Sequence, residues 1–276
     1  MRAAERLGYY ASIFPLAEVG ATYYFPPTEE TAGLWVMRTL PGFTLSIRAY
    51  SLFTGHPTRP DSLWPEVAER IPLEHREKHR IYLSHLPSQA VDEAWELFRT
   101  ALMPLHSAGK LGTVTFQFPH WFRPSPASRA HLAELRGRLP DYDLAVEFRH
   151  NSWLEEDQRD ATFDLLEDEG LAFVCVDEAQ HGDGCIPPVV AATADVAVVR
   201  LWGRSTAEWD PAVDMSPAER FAYRYATEEL AGWVPAVRQL AETARETHVL
   251  LANCWKDDAV TNGQELAGLL GTGLMA

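Results

Sequence analysis

One rhythm constrains this chain more than any other feature. An apolar run of strand length is followed by an amphipathic stretch of helical length, again and again along its 276 residues. A helix is expected over Ala3–Phe14, a strand near Glu18–Tyr24, and a helix over Thr28–Leu40, with Thr28 as N-cap and Pro41–Gly42 as its stop. Phe43–Tyr50 alternates as a strand should. After a long segment, Ser51–Pro87, the helix Ser88–Ala108 resumes the pattern. Leu111–Phe118 pairs with a helix over Ser125–Leu139, and Leu144–His150 with one over Glu155–Glu169. Leu171–Asp177, Val196–Gly203 and His248–Cys254 complete the strands, the last two followed by helices over Pro217–Glu246 and Ala259–Leu270. Strands alternating with helices imply a parallel sheet, and the length suits a single (β/α)8 barrel domain over residues 1–276. Seven strands are legible where a closed barrel has eight. The expectation is therefore that the first strand is missing and the chain is shortened at its N-terminus.

Side chains alternate across a strand, so each run divides into two faces. If the apolar faces meet the helices, the interior receives Glu18, Arg48, Gln117, Glu147, Arg149, Asp177, Arg200 and Asn253. Val174 and Val176 are taken as helix-facing, opposite Asp177. Such interiors are ordinarily filled by Val, Ile and Leu. Carboxylates and guanidinium groups there demand mutual pairing or a polar ligand, because unpaired buried charge is costly.

The sequence from Glu18 to Tyr24 reads EVGATYY, Leu111–Pro119 reads LGTVTFQFP and Ala145–Trp153 reads AVEFRHNSW. FVCVDEAQ at Phe173–Gln180, VVRLWGR at Val198–Arg204 and LLANCWKDDAVTNG at Leu250–Gly263 follow in order. In these motifs the chain resembles the YecE-like family, domain of unknown function seventy-two. The resemblance implies a TIM-like barrel and no settled activity. Four family features differ: the opening Gly/Ser/Trp strand motif has no match, and Gly20, Trp202 and Cys254 stand where the family pattern has Asn, His and Asn.

Composition narrows the partners. With 39 acidic against 24 basic residues, a net charge of −15 argues against a diffuse grip on nucleic acid, though not against a local cationic pocket. Three cysteines without CxxC spacing point to reduced thiols and a cytoplasmic protein, and no apolar run is long enough to span a membrane. There is no phosphate-binding GxxxxGK[ST], no GxGxxG after a strand and no GxSxG. His75 and His79 are read as a solvated helix face. Glu147, His150 and Asp177 give only weak support for a divalent metal.

The expected function is that of an enzyme, hydrolase-like, acting on a small polar anion that is phosphorylated or carboxylated. Glu147 and Asp177 are the catalytic candidates, as general acid and base. Arg48, Arg149 and Arg200 are expected to hold the anion, Gln117 and Asn253 to orient polar atoms, and His150, Trp153 and Arg204 to line the cleft. The segment Ser51–Pro87, with His56, Arg59 and Trp64, is expected to form a lid. Two alternatives are a metal-dependent phosphodiester activity resembling endonuclease barrels and a non-catalytic binding or scaffold protein.

Overall fold

In the computed structural model, residues 3–180, 184–206 and 219–272 are described. They carry seven strands: β1 (Leu16–Val19), β2 (Thr44–Arg48), β3 (Leu111–Gln117), β4 (Leu144–Glu147), β5 (Leu171–Glu178), β6 (Val196–Gly203) and β7 (Glu246–Leu251). The helices are α1 (Ala3–Ala11), α2 (Glu29–Met37), α3 (Pro65–Glu69), α4 (Ser88–Ser107), α5 (Pro126–Arg138), α6 (Arg159–Asp168), α7 (Thr227–Thr243) and α8 (Asp258–Leu270). The strand count matches the expectation. The chain divides into two compact units, residues 1–119 with 134–144, and residues 120–133 with 145–276.

The first unit holds β1, β2 and β3 side by side and parallel, with Glu18 opposite Ser46 and Arg48 opposite Thr115. Gly112 lets β2 and β3 approach closely. A Cβ there would stand 2.8 Å from both Ser46 Oγ and Thr44 Cγ2. The strand expected near Glu18–Tyr24 ends earlier, at Val19, because Thr22 Oγ1 donates to the carbonyls of Val19 and Arg48 and folds Gly20–Tyr23 into a 3-10 turn. Thr28 caps α2 as expected, its hydroxyl accepting from Thr31 N. At the other end of α2, Lys110 Nζ donates to the carbonyls of Val36, Thr39 and Leu40. A cation there satisfies terminal carbonyls that have no partner within the helix, at its negative end.

The segment Ser51–Pro87 is a series of 3-10 turns and α3, closed by an antiparallel bridge between Thr58 and Ile81. Leu52, Phe53, Val67 and Ile81 are all buried, and Phe53 stacks on Trp95 of α4 with ring centroids 3.8 Å apart. Tyr50 donates or accepts at Ser62 and meets Trp64 edge to face. This segment thus contributes to the core of its own unit.

In the second unit β4, β5, β6 and β7 follow in sheet order, and β6 runs parallel to both β5 and β7. Phe148 stacks on Trp153 at 4.5 Å, Trp153 stacks on Phe122 at 5.4 Å, and Phe163 of α6 meets Phe173 of β5. The long helix expected over Pro217–Glu246 begins only at Thr227; Pro217 itself lies outside the described residues. Helix is blocked upstream because Asn262 of α8 takes both backbone groups of Tyr225, accepting from its N–H and donating to its carbonyl.

Candidate functional site

Each unit carries its own polar strand face. In the first, Glu18, Ser46 and Arg48 share a face through the register, and Thr113, Thr115 and Gln117 continue it on β3. Thr113 donates to Ser46 within that face, and the Arg48 guanidinium lies 4.9 Å over the Tyr23 ring. Burial pushes the Tyr23 phenol up to about 12, against the opposing pull of Arg48.

In the second unit the register sorts the charges. Arg200 stands opposite Val176 and Leu250, whereas Leu201 stands opposite Asp177 and Leu251. Neighbours in a parallel register project to the same side, so Asp177 does not share the face of Arg200. Phe173, two residues before Cys175 and four before Asp177, packs on α6, which marks that face as helix-facing. Val174 and Val176 are the residues beside Arg200, and the assignment of β5 from the sequence was one residue out of phase.

On the face of Arg200 lies the first cluster. Glu147 is fully buried, and its Oε1 accepts from Trp202 Nε1 at 2.9 Å. Its Oε2 is 2.8 Å from Arg200 Nε. Arg149 Nη1 sits 2.7 Å from Glu178 Oε2 and 3.8 Å from Glu147 Oε1. Both guanidinium groups also lie against the Trp202 ring, at 5.3 Å for Arg149 and 5.4 Å for Arg200. Glu178 is held from its other oxygen by the backbone N–H of Ile186 at 2.9 Å. Arg200 is 3 % exposed and Arg149 is 21 % exposed, so Arg149 is the guanidinium that solvent reaches.

His150 follows Arg149. Its Nδ1 accepts the backbone N–H of Ser152 at 3.1 Å, with the Ser152 hydroxyl at 2.8 Å. Burial, then the positive charge of Arg123, lowers its pKa from the usual imidazole value. A neutral ring whose Nδ1 accepts carries its proton on Nε2. Gly184 lies beside that edge, where a Cβ would be 3.6 Å from Nε2.

The second cluster is on the helix-facing side. Asp177 accepts from Arg204 Nε and Nη2 at 2.9 to 3.1 Å and from the Tyr225 hydroxyl at 2.6 Å. The Tyr225 hydroxyl accepts in turn from Gly203 N. Gly203 has φ +99°, and a Cβ there would meet Tyr223 Cβ at 2.6 Å, so no other residue fits this crossing. Arg204 Nη1 reaches Glu229, which also accepts from Tyr223. Burial first, then Asp177, raises the Tyr225 phenol far above its ordinary value. Asn253 belongs here too: its Nδ2 donates to Tyr223 O and Asn262 Oδ1, while its buried Oδ1 has no partner among the described residues. A cleft of about 480 Å3 adjoins the cluster, lined by Asp177, Arg204, Glu229, Trp233 and Val190 among others.

The sequence-derived set is therefore divided. Glu147, Arg149 and Arg200 come together; Asp177, Arg204 and Asn253 form a separate group; Arg48 and Gln117 stand on the polar face of the first unit. Asp177 is corrected from the arginine face to the helix-facing side, with every near donor already engaged. Trp153 is corrected from a cleft-lining residue to a core residue: it is fully buried and its Nε1 donates to Phe122 O at 2.7 Å. Glu178 and Tyr225 were missed. Carrying the strand alternation one residue past Asp177 would have found Glu178, whereas nothing local in the sequence marks Tyr225. Among the described residues no group of three or more His, Cys, Asp or Glu side chains is placed to hold a metal ion. No described helix is long and apolar enough to cross a membrane.

The chain is similar to solved structures of the same architecture. A DUF72 family protein of Enterococcus faecalis V583 matches with a TM-score of 0.81 and 25% identity, covering 97% of this chain and 88% of that one. A DUF72 family protein of Thermotoga maritima MSB8 matches at 0.75 and 28%, covering 98% and 91%. With seven parallel strands alternating with helices, the fold class is α/β of the TIM-like barrel type. Among curated proteins, the UPF0759 protein YunF of Bacillus subtilis (strain 168) is 28% identical over 269 residues, which cover 96% of this chain and 86% of that protein. The family described as "Protein of unknown function DUF72" matches residues 1–275, and the chain belongs to that family.

Proposed function

We propose that the chain binds a small phosphorylated or carboxylated molecule at Arg149 and His150 and acts on it as a hydrolase. One observation carries the reading. Arg149 is anchored through Nη1 alone, so its Nε and Nη2 have no hydrogen-bond partner among the described residues. That leaves a planar fork matched to two oxygens of one anion. The guanidinium is held in place from behind by Glu178 and from beside by Trp202, which supports binding without a large loss of side-chain entropy. His150, neutral and with its proton on Nε2, supplies a hydrogen-bond donor from the adjacent residue to an oxygen of the bound molecule. Glu147 has both oxygens engaged; its part is to hold Arg200 and Trp202 in position.

A second reading, a binding protein without chemistry, is favoured by the fact that Glu147 is fully buried against Trp202 and Arg200, while Asp177 already accepts from Arg204 and Tyr225. The two readings separate experimentally. Titration calorimetry with inorganic phosphate and with citrate is expected to show binding that Arg149→Gln abolishes or weakens by about tenfold or more, the worth of one or two charge-assisted hydrogen bonds. Turnover of p-nitrophenyl phosphate or p-nitrophenyl acetate that drops in His150→Gln while anion binding persists supports hydrolysis. Binding without turnover supports the second reading, and absence of binding defeats both.

A further inference from the structure

We propose that the segment Ser51–Pro87 carries a second anion site, a cationic cleft that takes a small molecule bearing a diphosphate or longer phosphate chain. The cleft has a volume of about 470 Å3 and is lined by Arg59, Asp61, Arg76, Lys78, His79 and Arg80, with Glu77 and Pro60 beside them. Four permanent cations face two carboxylates there, on a chain whose net charge is −15. An anion is repelled by most of this surface, and a local excess of positive charge is where it would accumulate.

The cleft has fixed walls. The Thr58–Ile81 bridge, with N–H to O distances of 2.9 and 2.7 Å, sets Arg59 on one limb beside Arg80 on the other. Arg76 Nε donates to Ile71 O at 3.0 Å and its Nη2 to Glu69 O at 3.3 Å, which pins the turn that presents Lys78–Arg80. Arg59 is already committed to Asp61, and this pairing holds the Asp61 carboxyl below its ordinary range. Lys78 Nζ lies 3.3 Å from His85 Nε2, a partner without charge while the imidazole is neutral. Arg80 also helps hold the Asp61 carboxyl down by its charge, but neither Arg80 nor His79 makes a hydrogen bond among the described residues. The charges left for a ligand are thus those of Lys78 and Arg80, with His79 between them in the chain. Two cations two residues apart suit two adjacent phosphoryl groups better than one. The volume admits a small organic diphosphate, and that size range is typical of small-molecule sites.

The proposal is independent of the Arg149 reading, and its test keeps the two apart. Inorganic pyrophosphate is titrated by calorimetry into the wild-type chain, into Arg149→Gln, and into Arg149→Gln carrying Lys78→Gln and Arg80→Gln. All three substituted side chains reach solvent, and the two in the cleft are exposed, so circular dichroism is expected to show folded protein throughout. Arg149→Gln is expected to retain a pyrophosphate site. The triple variant is expected to bind at that site at least about tenfold more weakly, and raising salt should weaken it in Arg149→Gln. Equal affinity in Arg149→Gln and the triple variant overturns the cleft. So does loss of all pyrophosphate binding in Arg149→Gln alone, a result that would leave the β4 site standing.

Discussion

The two charged clusters of the second unit stand at the ends of the same strands, yet they are built for different work. In the Glu147 cluster, one arginine is sealed and one is one-fifth exposed, and the exposed one is held by a single nitrogen. In the Asp177 cluster the carboxylate accepts from a two-nitrogen guanidinium fork and a phenol. Those groups are held in turn by Glu229 of α7, which accepts from Arg204, by Asn262 of α8, which accepts from Tyr225 N, and by the backbone N–H of Gly203. The first arrangement leaves donors for a ligand. The second uses its donors to tie the Tyr223–Tyr225 segment to β5, β6 and α8. A single step of strand parity separates them, because Asp177 and Glu178 are adjacent and project to opposite faces.

Removing the central carboxylate of each cluster should expose that difference. Glu147→Ala removes the carboxylate that lies 2.8 Å from the Arg200 Nε, a guanidinium only 3 % exposed, and is expected to cost about 3–5 kcal/mol in urea unfolding. A loss below about 1 kcal/mol would mean that water reaches Arg200 and the cluster is not sealed. Trp202→Phe keeps the ring but deletes the donor to Glu147 Oε1. A hydrogen bond to a charged group predicts a loss of about 1.5–3 kcal/mol, read by the same unfolding curve. Tyr225→Phe tests the other cluster. It removes one of three donors on Asp177 and the acceptor of the Gly203 N–H while Arg204 remains, so a loss of about 1.5–3 kcal/mol, below that of Glu147→Ala, is expected. If Tyr225→Phe costs more than Glu147→Ala, the ranking of the clusters is reversed.

The smallest effect is a pH dependence. The folded pKa of His150 lies below its unfolded value, so the unfolded state binds more protons as pH falls through about 6.5. The stability held above that pH is lost on acidification and the loss levels off below the folded pKa. His150→Asn should flatten the slope of stability against pH in that window. An unchanged slope would show that other groups, among them His85, whose pKa is also lowered, account for it.

Much of this arrangement was legible before any coordinates, and the failures have physical causes. The alternation of strands and helices gave seven strands within a few residues of their observed limits, because parallel strands need helical crossovers. Glu147, Arg149 and Arg200 were legible because charged residues interrupted apolar runs at matching parity. Asp177 misled because every residue of β5 is buried, so Val174 and Val176 gave no sign of which face met the helices. Asn253 failed for a similar reason, lying past the end of β7 where alternation no longer fixes direction. Trp153 looked like a ring at the edge of a cleft, and only the stacking of Phe122 and Phe148 on it shows a core residue. Tyr225 depends on a contact between residues 48 positions apart, which no local pattern encodes.

The central claim is that recognition of an anion belongs to the Glu147 cluster and not to the Asp177 cluster. Its most direct test is a pair of substitutions, Arg149→Gln and Arg204→Gln, each titrated with inorganic phosphate beside the wild type. Arg204 is the more exposed of the two arginines at 39 %, so exposure alone would favour it as the binder. The account predicts affinity reduced by about tenfold or more in Arg149→Gln and unchanged in Arg204→Gln. Loss of phosphate binding in Arg204→Gln with full affinity in Arg149→Gln would contradict it.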